Sequence, residues 1–323
     1  MSDNIPLDVQ LDIMNRLPVK TILLISSVSK IWKANIDSQT FITSYGARPI
    51  DECLFNLTFD QGYKGFMTSV PENFTITPFD SQLYLAAMIP VGNSSGLTCF
   101  MYGTNMMAIV WNPSIRKSVG IFIPFYTHQI ESSKICFGFG VRPDILDPTI
   151  VKVSYPVFQT GFWYVSVFSL NTLTWSRLQD FQLSRTSLRL KRKSQAVVGR
   201  FIYWAGTEKD TFSFESGNAN SFSVCELGNS IVISGMIMTS EVPLFVGWLL
   251  DVDGSSITRF SNLFCIPTPL VNKLLGYTSN QAPIVEANVG HILGHSIFVF
   301  DPQAEKFVSL GIVACDESVD AVY

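Results

Sequence analysis

The N-terminal stretch reads Ile5-Pro6-Leu7-Asp8-Val9-Gln10-Leu11-Asp12-Ile13-Met14-Asn15-Arg16-Leu17-Pro18 and places an amphipathic run between two prolines. Proline suits the first turn of a helix, where its missing N–H costs nothing. Val9, Ile13 and Leu17 recur at intervals of four residues, which is the spacing of one helix face. The residue before a proline avoids the α region, so the helix ends near Leu17. The stretch therefore predicts a helix that closes at the second proline.

Three further helices are expected from similar patterns. They cover residues 20–28, residues 29–36 and a short segment that begins after Ser38, a residue type that favours the N-cap position. Beyond position 49 the chain has short runs rich in aromatic and β-branched residues, separated by Gly, Pro, Asn and Asp, as in strands and turns. We therefore expect a helical domain at residues 1–46 and a β domain at residues 50–323.

The helical domain has more apolar residues than it can bury. Ile22-Leu23-Leu24-Ile25 places four in a row, so at least one must point away from the domain's own core. A domain of about 45 residues buries too little surface to be stable alone, and no Cys lies in this segment to form a disulfide. The pattern favours docking onto a protein partner; packing of these helices on the following domain is the alternative.

The same residues carry a family resemblance. Leu17-Pro18-Val19-Lys20, followed by Val28-Ser29-Lys30-Ile31-Trp32, resembles the F-box motif of plant F-box proteins. The resemblance implies the substrate-recognition subunit of a Skp-cullin-F-box ubiquitin ligase, which binds a Skp-type adaptor and through it a cullin scaffold. The residues that match adaptor-binding positions, or positions that support them, are Ile5, Pro6, Leu7, Leu11, Ile13, Leu17, Pro18 and Trp32.

The rest of the chain shows a weak internal repeat. Apolar strands run into polar turns at Asn112, Asn171, Glu215, Asp251 and Asp301, at intervals of 59, 44, 36 and 50 residues. Intervals near 40 to 50 are typical of four-stranded propeller blades, and a pair of β-sandwiches is the alternative. If the domain is a propeller, residues 53–59 are expected to pair with strands near Phe298 or Phe307 and close the ring.

A second resemblance favours the propeller. Val110-Trp111-Asn112-Pro113-Ser114, Phe137-Gly138-Phe139-Gly140 and Val167-Phe168-Ser169-Leu170-Asn171 occur in the order seen in the plant F-box-associated interaction domain, over roughly residues 85–310. That family captures target proteins. The expected fold class is therefore α+β and multidomain, a small helical F-box followed by an all-β, kelch-like, propeller-like domain.

Several functional classes are disfavoured. A net charge of -4 argues against nucleic-acid binding, and no apolar run reaches the length of a membrane span. His291 and His295 have a metal-ligand spacing only if helical, and two glycines in that segment argue against a helix. We expect no catalytic residues, no metal, no cofactor, and residence in the cytoplasm, the nucleus or both, with the Cys as core thiols. An adaptor-free interaction protein or a propeller-type sugar-binding protein is the alternative.

The target contacts are expected on loops of the β domain. Tyr and Arg are the residue types that most often anchor protein interfaces, so Tyr63, Tyr126 and Arg189 are the candidates. Arg189 belongs to a basic segment at residues 185–193, which we expect to be a solvated loop between blades. The target itself cannot be read from these residues.

Overall fold

The structure is a computed structural model that describes residues 5–46, 54–60, 63–70, 73–78, 88–102, 107–112, 117–124, 133–156, 163–178, 188–208, 222–239, 242–254, 256–267, 270–278, 280–288 and 295–314. The N-terminal region is helical, and the rest of the described chain consists of antiparallel sheets. The helices are α1 (Leu7–Asn15), α2 (Val19–Ser26), α3 (Lys30–Ile36) and α4 (Gln39–Gly46). The expected fold class, a small helical region followed by a β-rich one, is confirmed.

The helix ends lie where the sequence chemistry places them. Pro6 and Pro18 precede the first residues of α1 and α2, so each proline sits where no backbone donor is needed. Ser29 caps α3 by accepting a hydrogen bond from the backbone N–H of Trp32 at 3.4 Å. Ser38 accepts one from Phe41 N–H at 3.2 Å at the start of α4. All four predicted helices are therefore present.

The described strands form six sheets, numbered I to VI in chain order. Sheet I contains β1 (Leu54–Asp60), β2 (Tyr63–Val70) and β3 (Asn73–Pro78); sheet II contains β4 (Met88–Ser94), β5 (Leu97–Tyr102), β6 (Met107–Asn112) and β7 (Lys117–Phe122). Sheet III contains β8 (Ser133–Arg142), β9 (Asp147–Pro156), β10 (Tyr164–Ser169) and β11 (Thr174–Arg177). Sheet IV contains β12 (Leu188–Val198) and β13 (Phe201–Glu208). Sheet V contains β14 (Ser223–Leu227), β15 (Ser230–Ile237), β16 (Leu244–Asp253) and β17 (Ser256–Ile266); sheet VI contains β18 (Val271–Tyr277), β19 (Pro283–Ala287), β20 (His295–Asp301) and β21 (Lys306–Ala314).

Each sheet is a meander in which consecutive strands pair, so every described pairing is local in sequence. This corrects the expected ring closure: β1 pairs with β2, whereas β20 pairs with β19 and β21. The basic segment is also corrected from residue 188 onwards, because it forms the start of β12 and pairs with β13. The basic residues of this segment favoured a loop in the sequence interpretation, but residues 188–191 belong to a strand and are half-buried.

Apolar clusters join each of sheets II to V to the sheet that follows it. One cluster joins sheets II and III. It includes Ala108 and Val110 of β6 together with Phe139 of β8 and Ile150 of β9. Further clusters join sheets III and IV, sheets IV and V, and sheets V and VI. The first strands of these sheets lie side by side: β4 contacts β8 and β12, β12 contacts β14, and β14 contacts β18. The β region thus has a core that is shared between neighbouring sheets.

Side chains on the first strands bind the backbone of the neighbouring sheet. Gln195 accepts from Phe139 N–H at 3.1 Å and donates to the Phe139 carbonyl at 3.0 Å. Ser194 accepts from Val224 N–H at 2.7 Å, and Ser94 accepts from Val141 N–H at 3.1 Å. These bonds satisfy strand-edge donors that would otherwise be left unpaired near the core.

Gly138 explains part of the glycine-rich motif in sheet III. A Cβ at this position would lie 2.4 Å from the Trp204 ring of sheet IV, a distance that no real contact allows. The glycine therefore permits close packing of sheets III and IV, where Trp204 Nε1 donates to the Phe137 carbonyl at 3.2 Å.

The cysteines are less uniform than expected. Cys99 and Cys136 are buried, and burial raises the pKa of the Cys99 thiol well above its usual range. Cys225 is half-buried, while Cys265 is exposed, so the expectation of a core thiol is wrong for Cys265. Cys53 and Cys315 lie outside the described residues.

Candidate functional site

The helical region has a small core of its own. Its buried residues are Met14, Ile22, Ile36 and Phe41, and Leu11, Leu17, Ile25, Trp32 and Tyr45 pack around them. Each helix contributes at least one buried residue to this cluster. The core is small because the region has only four short helices.

Two long-range hydrogen bonds fix the helices relative to one another. Trp32 Nε1 in α3 donates to Gln10 Oε1 in α1 at 2.7 Å. Tyr45 Oη in α4 donates to the Leu17 carbonyl, just beyond α1, at 2.7 Å. Both are made by aromatic side chains that also pack on the apolar core, so they orient the outer helices around it.

A set of large apolar side chains remains on the outside of this bundle, and we call it the apolar surface. Its members are Ile5, Leu7, Val9, Ile13, Leu23, Leu24, Val28, Ile31 and Ile42. Leu24 is 70% exposed and Val28 is 73% exposed. Large apolar side chains exposed in this number on four short helices favour a protein interaction site.

The eight residues assigned from the sequence divide into two groups. Ile5, Pro6, Leu7, Ile13 and Pro18 are exposed and available for contact. Leu11, Leu17 and Trp32 are half-buried and pack on the helical core. The second group thus supports the surface from behind rather than lying on it.

Sequence reasoning missed several members of the apolar surface. Leu23 and Leu24 were signalled by the run of four apolar residues in α2, which a helix cannot bury on one face. Val28 and Ile31 gave no such signal. Val28 was expected at the end of the second helix, but α2 ends at Ser26 and leaves Val28 in the exposed connection to α3.

The three candidates for target contact are not brought together by any observation. Tyr63 begins β2, in a strand whose side chains are not described, and Tyr126 lies outside the described residues. Arg189 lies on β12 rather than on a loop, and its Nη1 donates to the Leu188 carbonyl at 2.8 Å. It is half-buried.

The described residues lack two features that would indicate other functions. No three His, Cys, Asp or Glu side chains come together there as a metal-binding group. None of the described helices has the length and apolar character that a membrane span requires.

Comparison with protein families identifies the helical region. Residues 2–44 match the family model described as the F-box domain. These residues are an F-box domain. The match spans the four helices almost from end to end, so the apolar surface belongs to this domain. The expectation of a plant F-box protein is thereby confirmed, while the F-box-associated domain stays a prediction.

Relatives agree with this assignment. An F-box protein of Arabidopsis thaliana is 33% identical over 129 residues, covering 35% of this chain and 34% of its own length. Another Arabidopsis thaliana F-box protein is 23% identical over 163 residues, covering 47% of this chain and 38% of its own. In three Arabidopsis thaliana relatives, the matched part spans about a third of the relative's own length, at 33%, 34% and 32%.

Solved structures resemble the chain only loosely. An oligogalacturonate lyase in complex with manganese aligns with a TM-score of 0.41 and 9% identity, covering 80% of this chain and 72% of that one. At this level of similarity neither a fold nor an activity is transferred.

Proposed function

We propose that the F-box domain docks a Skp-type adaptor and thereby attaches the chain to a cullin scaffold as the substrate receptor of a ubiquitin ligase. The observation that carries this proposal is the apolar surface, nine large side chains left exposed on a domain that matches the F-box model. Burial of such side chains is worth about 25 cal/mol per Å² removed from water. A partner that covers these side chains adds the buried apolar area that the small helical core lacks.

The β region is proposed to hold the target protein. We place the domains at residues 1–46 and 50–323, and we propose that the second is a kelch-like, F-box-associated propeller. Support comes from four-stranded meanders in sheets II, III, V and VI and from the side-by-side packing of their first strands. Tyr63, Tyr126 and Arg189 stay our proposed target contacts, with the target itself left open.

We further propose that the chain is not itself an enzyme and works in the cytoplasm, the nucleus or both. Ubiquitin transfer would take place on other subunits of the ligase. The relatives support this role because those that match are F-box proteins.

The decisive experiment alters the apolar surface without touching the helical core. Leu7 and Ile13 are 40% and 49% exposed, so Leu7→Asp with Ile13→Asp leaves the core intact, whereas Leu11 packs against that core. Burying unpaired carboxylates in an interface is costly, so we expect adaptor capture from purified components to fall at least about 100-fold.

A matched control carries the same chemical change on the β region. Ile257→Asp with Val308→Asp alters two exposed apolar residues, at 62% and 57% exposure, on sheets V and VI. This variant is expected to capture adaptor normally. Normal capture by the Leu7 and Ile13 variant would instead support an adaptor-free interaction protein.

A further inference from the structure

Two hairpin turns lie side by side at one end of sheet III. The first joins β8 to β9 and contains residues 143–146, and the second joins β10 to β11 and contains residues 170–173. Asn171 connects them: its backbone N–H donates to Asp147 Oδ1 at 2.9 Å, and its Nδ2 donates to the Ile145 carbonyl at 3.5 Å. Asp147 itself is buried. The two turns therefore form one surface.

Each of these turns has a leucine in the left-handed backbone region. Leu146 has a φ of 49° and Leu173 has a φ of 56°. This region strains most residues that have a side chain, and turns therefore favour Gly, Asn or Asp there. At the hairpin turns of the other sheets, the positions of positive φ hold small or polar residues, namely Ser95, Gly96, Gly199, Gly228, Gly254, Gln281 and Glu305. Among the described residues, sheet III alone places apolar side chains at such positions.

Burial does not offset the strain at the second turn. Leu173 is 68% exposed, and Ile145 in the first turn is 48% exposed, while Leu146 is half-buried. A residue that strains the backbone and leaves its apolar side chain in water does not serve the fold, and such outliers gather at functional sites. Leu173 therefore points to contact with another molecule, and Ile145 extends the exposed apolar area beside it.

The exposed charges around the turns have a positive balance. Arg142 binds Asp144 through two hydrogen bonds, at 2.7 Å and 3.2 Å, so this pair is neutral. The hydrogen bond from Arg142, and to a smaller extent the charge of exposed Arg200 in the β12–β13 turn, lower the pKa of the Asp144 carboxyl. Sheets III and IV lie close together here, because a Cβ on Gly140 of β8 would lie 3.2 Å from Val197 Cγ1 of β12. A partner that covers the turns meets one guanidinium group beyond the neutral pair, which favours a carboxylate on that partner.

We propose that these turns bind an amphipathic helix of the target protein, with apolar side chains against Ile145 and Leu173 and a carboxylate against Arg200. We call these three residues the turn surface. The inference rests on the proposed role of the β region and names the site and the chemistry of the target segment. The turns offer side chains rather than a free strand edge, since the N–H groups of Leu170 and Asn171 already bind within sheet III at 3.0 Å and 2.9 Å. A helix suits such a surface because its own backbone hydrogen bonds are complete, whereas an extended peptide needs a strand edge.

The test is binding of three synthetic helical peptides to the full chain, measured by fluorescence anisotropy. One peptide has a leucine face bordered by glutamates, the second replaces the glutamates with lysines, and the third replaces the leucines with glutamines. We expect the first peptide to bind roughly tenfold more tightly than either of the others at low salt, since it alone matches both the apolar side chains and Arg200. Equal binding of all three, preference for the lysine peptide, or no binding would overturn the proposal.

The variant Leu173→Asn separates binding from folding. Asn tolerates the left-handed region but lacks the apolar side chain, so the urea midpoint should rise while affinity for the leucine–glutamate peptide falls roughly tenfold. Glu305→Asn is the matched control, because Glu305 has a φ of 50° in an exposed turn of sheet VI. The urea midpoint of this control should also rise, with peptide affinity unchanged. A lower midpoint or an unchanged affinity for Leu173→Asn would contradict the inference.

The variant Arg200→Gln tests the charge. Loss of the guanidinium group should reduce affinity for the leucine–glutamate peptide roughly threefold and reduce its preference over the lysine peptide, and an unchanged preference would contradict the contact with Arg200. Adaptor capture tests the proposed function separately, because none of these variants alters the F-box domain. Normal adaptor capture without peptide binding would overturn the turn surface and leave the ligase role standing, whereas failure of the parent chain to capture adaptor would contradict the ligase role.

Discussion

The F-box domain and the sheets differ in how much of their apolar side-chain surface is exposed. In the domain, Leu24 and Val28 are 70% and 73% exposed, and nine large apolar side chains lie on the outside. In sheet III, Phe139 and Ile150 are fully buried, at 0% exposure. The described sheets also expose some large apolar side chains, Phe122 at 70% among them, but the four short helices and their connections expose nine, and our proposal of a protein partner rests on this density.

The difference extends to how each region responds to change. Each cluster between two sheets is shared, so a defect in one sheet reaches the packing of its neighbour. The cluster of the F-box domain contains residues of the four helices and of the connection between α1 and α2. Substitutions in the sheets should therefore alter stability, and substitutions on the apolar surface should alter binding.

The largest expected effect comes from the core shared by sheets II and III. Phe139→Ala removes a fully buried ring and should destabilise the β region by about 3–5 kcal/mol. Urea unfolding followed by tryptophan fluorescence measures this, because five of the six Trp residues lie beyond the F-box domain. Adaptor capture should persist, since the helical cluster contains no residue of the sheets.

Two outcomes would break the comparison. A cost below about 1 kcal/mol would mean that Phe139 does not belong to a tightly packed core. Loss of adaptor capture together with loss of the sheets would mean that the F-box domain depends on the β region for its fold.

The helical part of the fold was predictable because its signals are local. Pro6, Pro18, Ser29 and Ser38 each act on the backbone within three residues, so the helix starts follow from the sequence alone. The apolar surface was only partly predictable. Helical periodicity shows that Leu23 or Leu24 must be outside, but the exposure of Val28 depends on where α2 ends.

The contacts between sheets could not be predicted because they join residues far apart in sequence. Gln195 binds the backbone of Phe139 on another sheet, and nothing in its neighbourhood signals that role. The basic part of β12 was wrongly predicted to be a solvated loop for a similar reason. Lys191 looks like a loop residue, yet its Nζ donates to the Phe222 carbonyl at 2.7 Å from within a strand. Burial lowers the pKa of that lysine, which composition does not signal either.

An intermediate effect is expected inside the F-box domain. Trp32→Phe keeps an aromatic ring on the core but removes the 2.7 Å hydrogen bond to Gln10, so it should cost about 1 kcal/mol. Amide hydrogen exchange of α1 and α3 should become roughly fivefold faster. Excess adaptor should restore the protection, because a partner that binds only the folded state stabilises it.

The control for this variant is the same substitution in the sheets. Trp175→Phe removes a 3.0 Å bond from Nε1 to the Phe122 carbonyl and should leave exchange in α1 and α3 unchanged. Faster exchange in those helices for the Trp175 variant would show that the two regions are coupled. Unchanged exchange for the Trp32 variant would show that the bond to Gln10 does not fix the helices.

The smallest expected effect is a pH dependence confined to the sheets, because the Glu226 side chain is exposed and solvent screening reduces the stability change that its pKa shift implies. Desolvation by the surrounding protein raises the pKa of the Glu226 carboxyl from its ordinary 4.5 to about 7, so the folded chain holds this proton more tightly than the unfolded chain does. The resulting stabilisation is complete below pH 4.5 and is lost as the pH rises through 7. Glu226→Gln cannot titrate, so the difference in urea midpoint between variant and parent should grow in favour of the variant across that window, while other groups cancel in the subtraction. Glu305→Gln, the same change in an exposed turn, is the matched control. A difference between Glu226→Gln and the parent that stays constant from pH 4.5 to pH 7 would mean that this carboxyl titrates alike in the folded and unfolded chains.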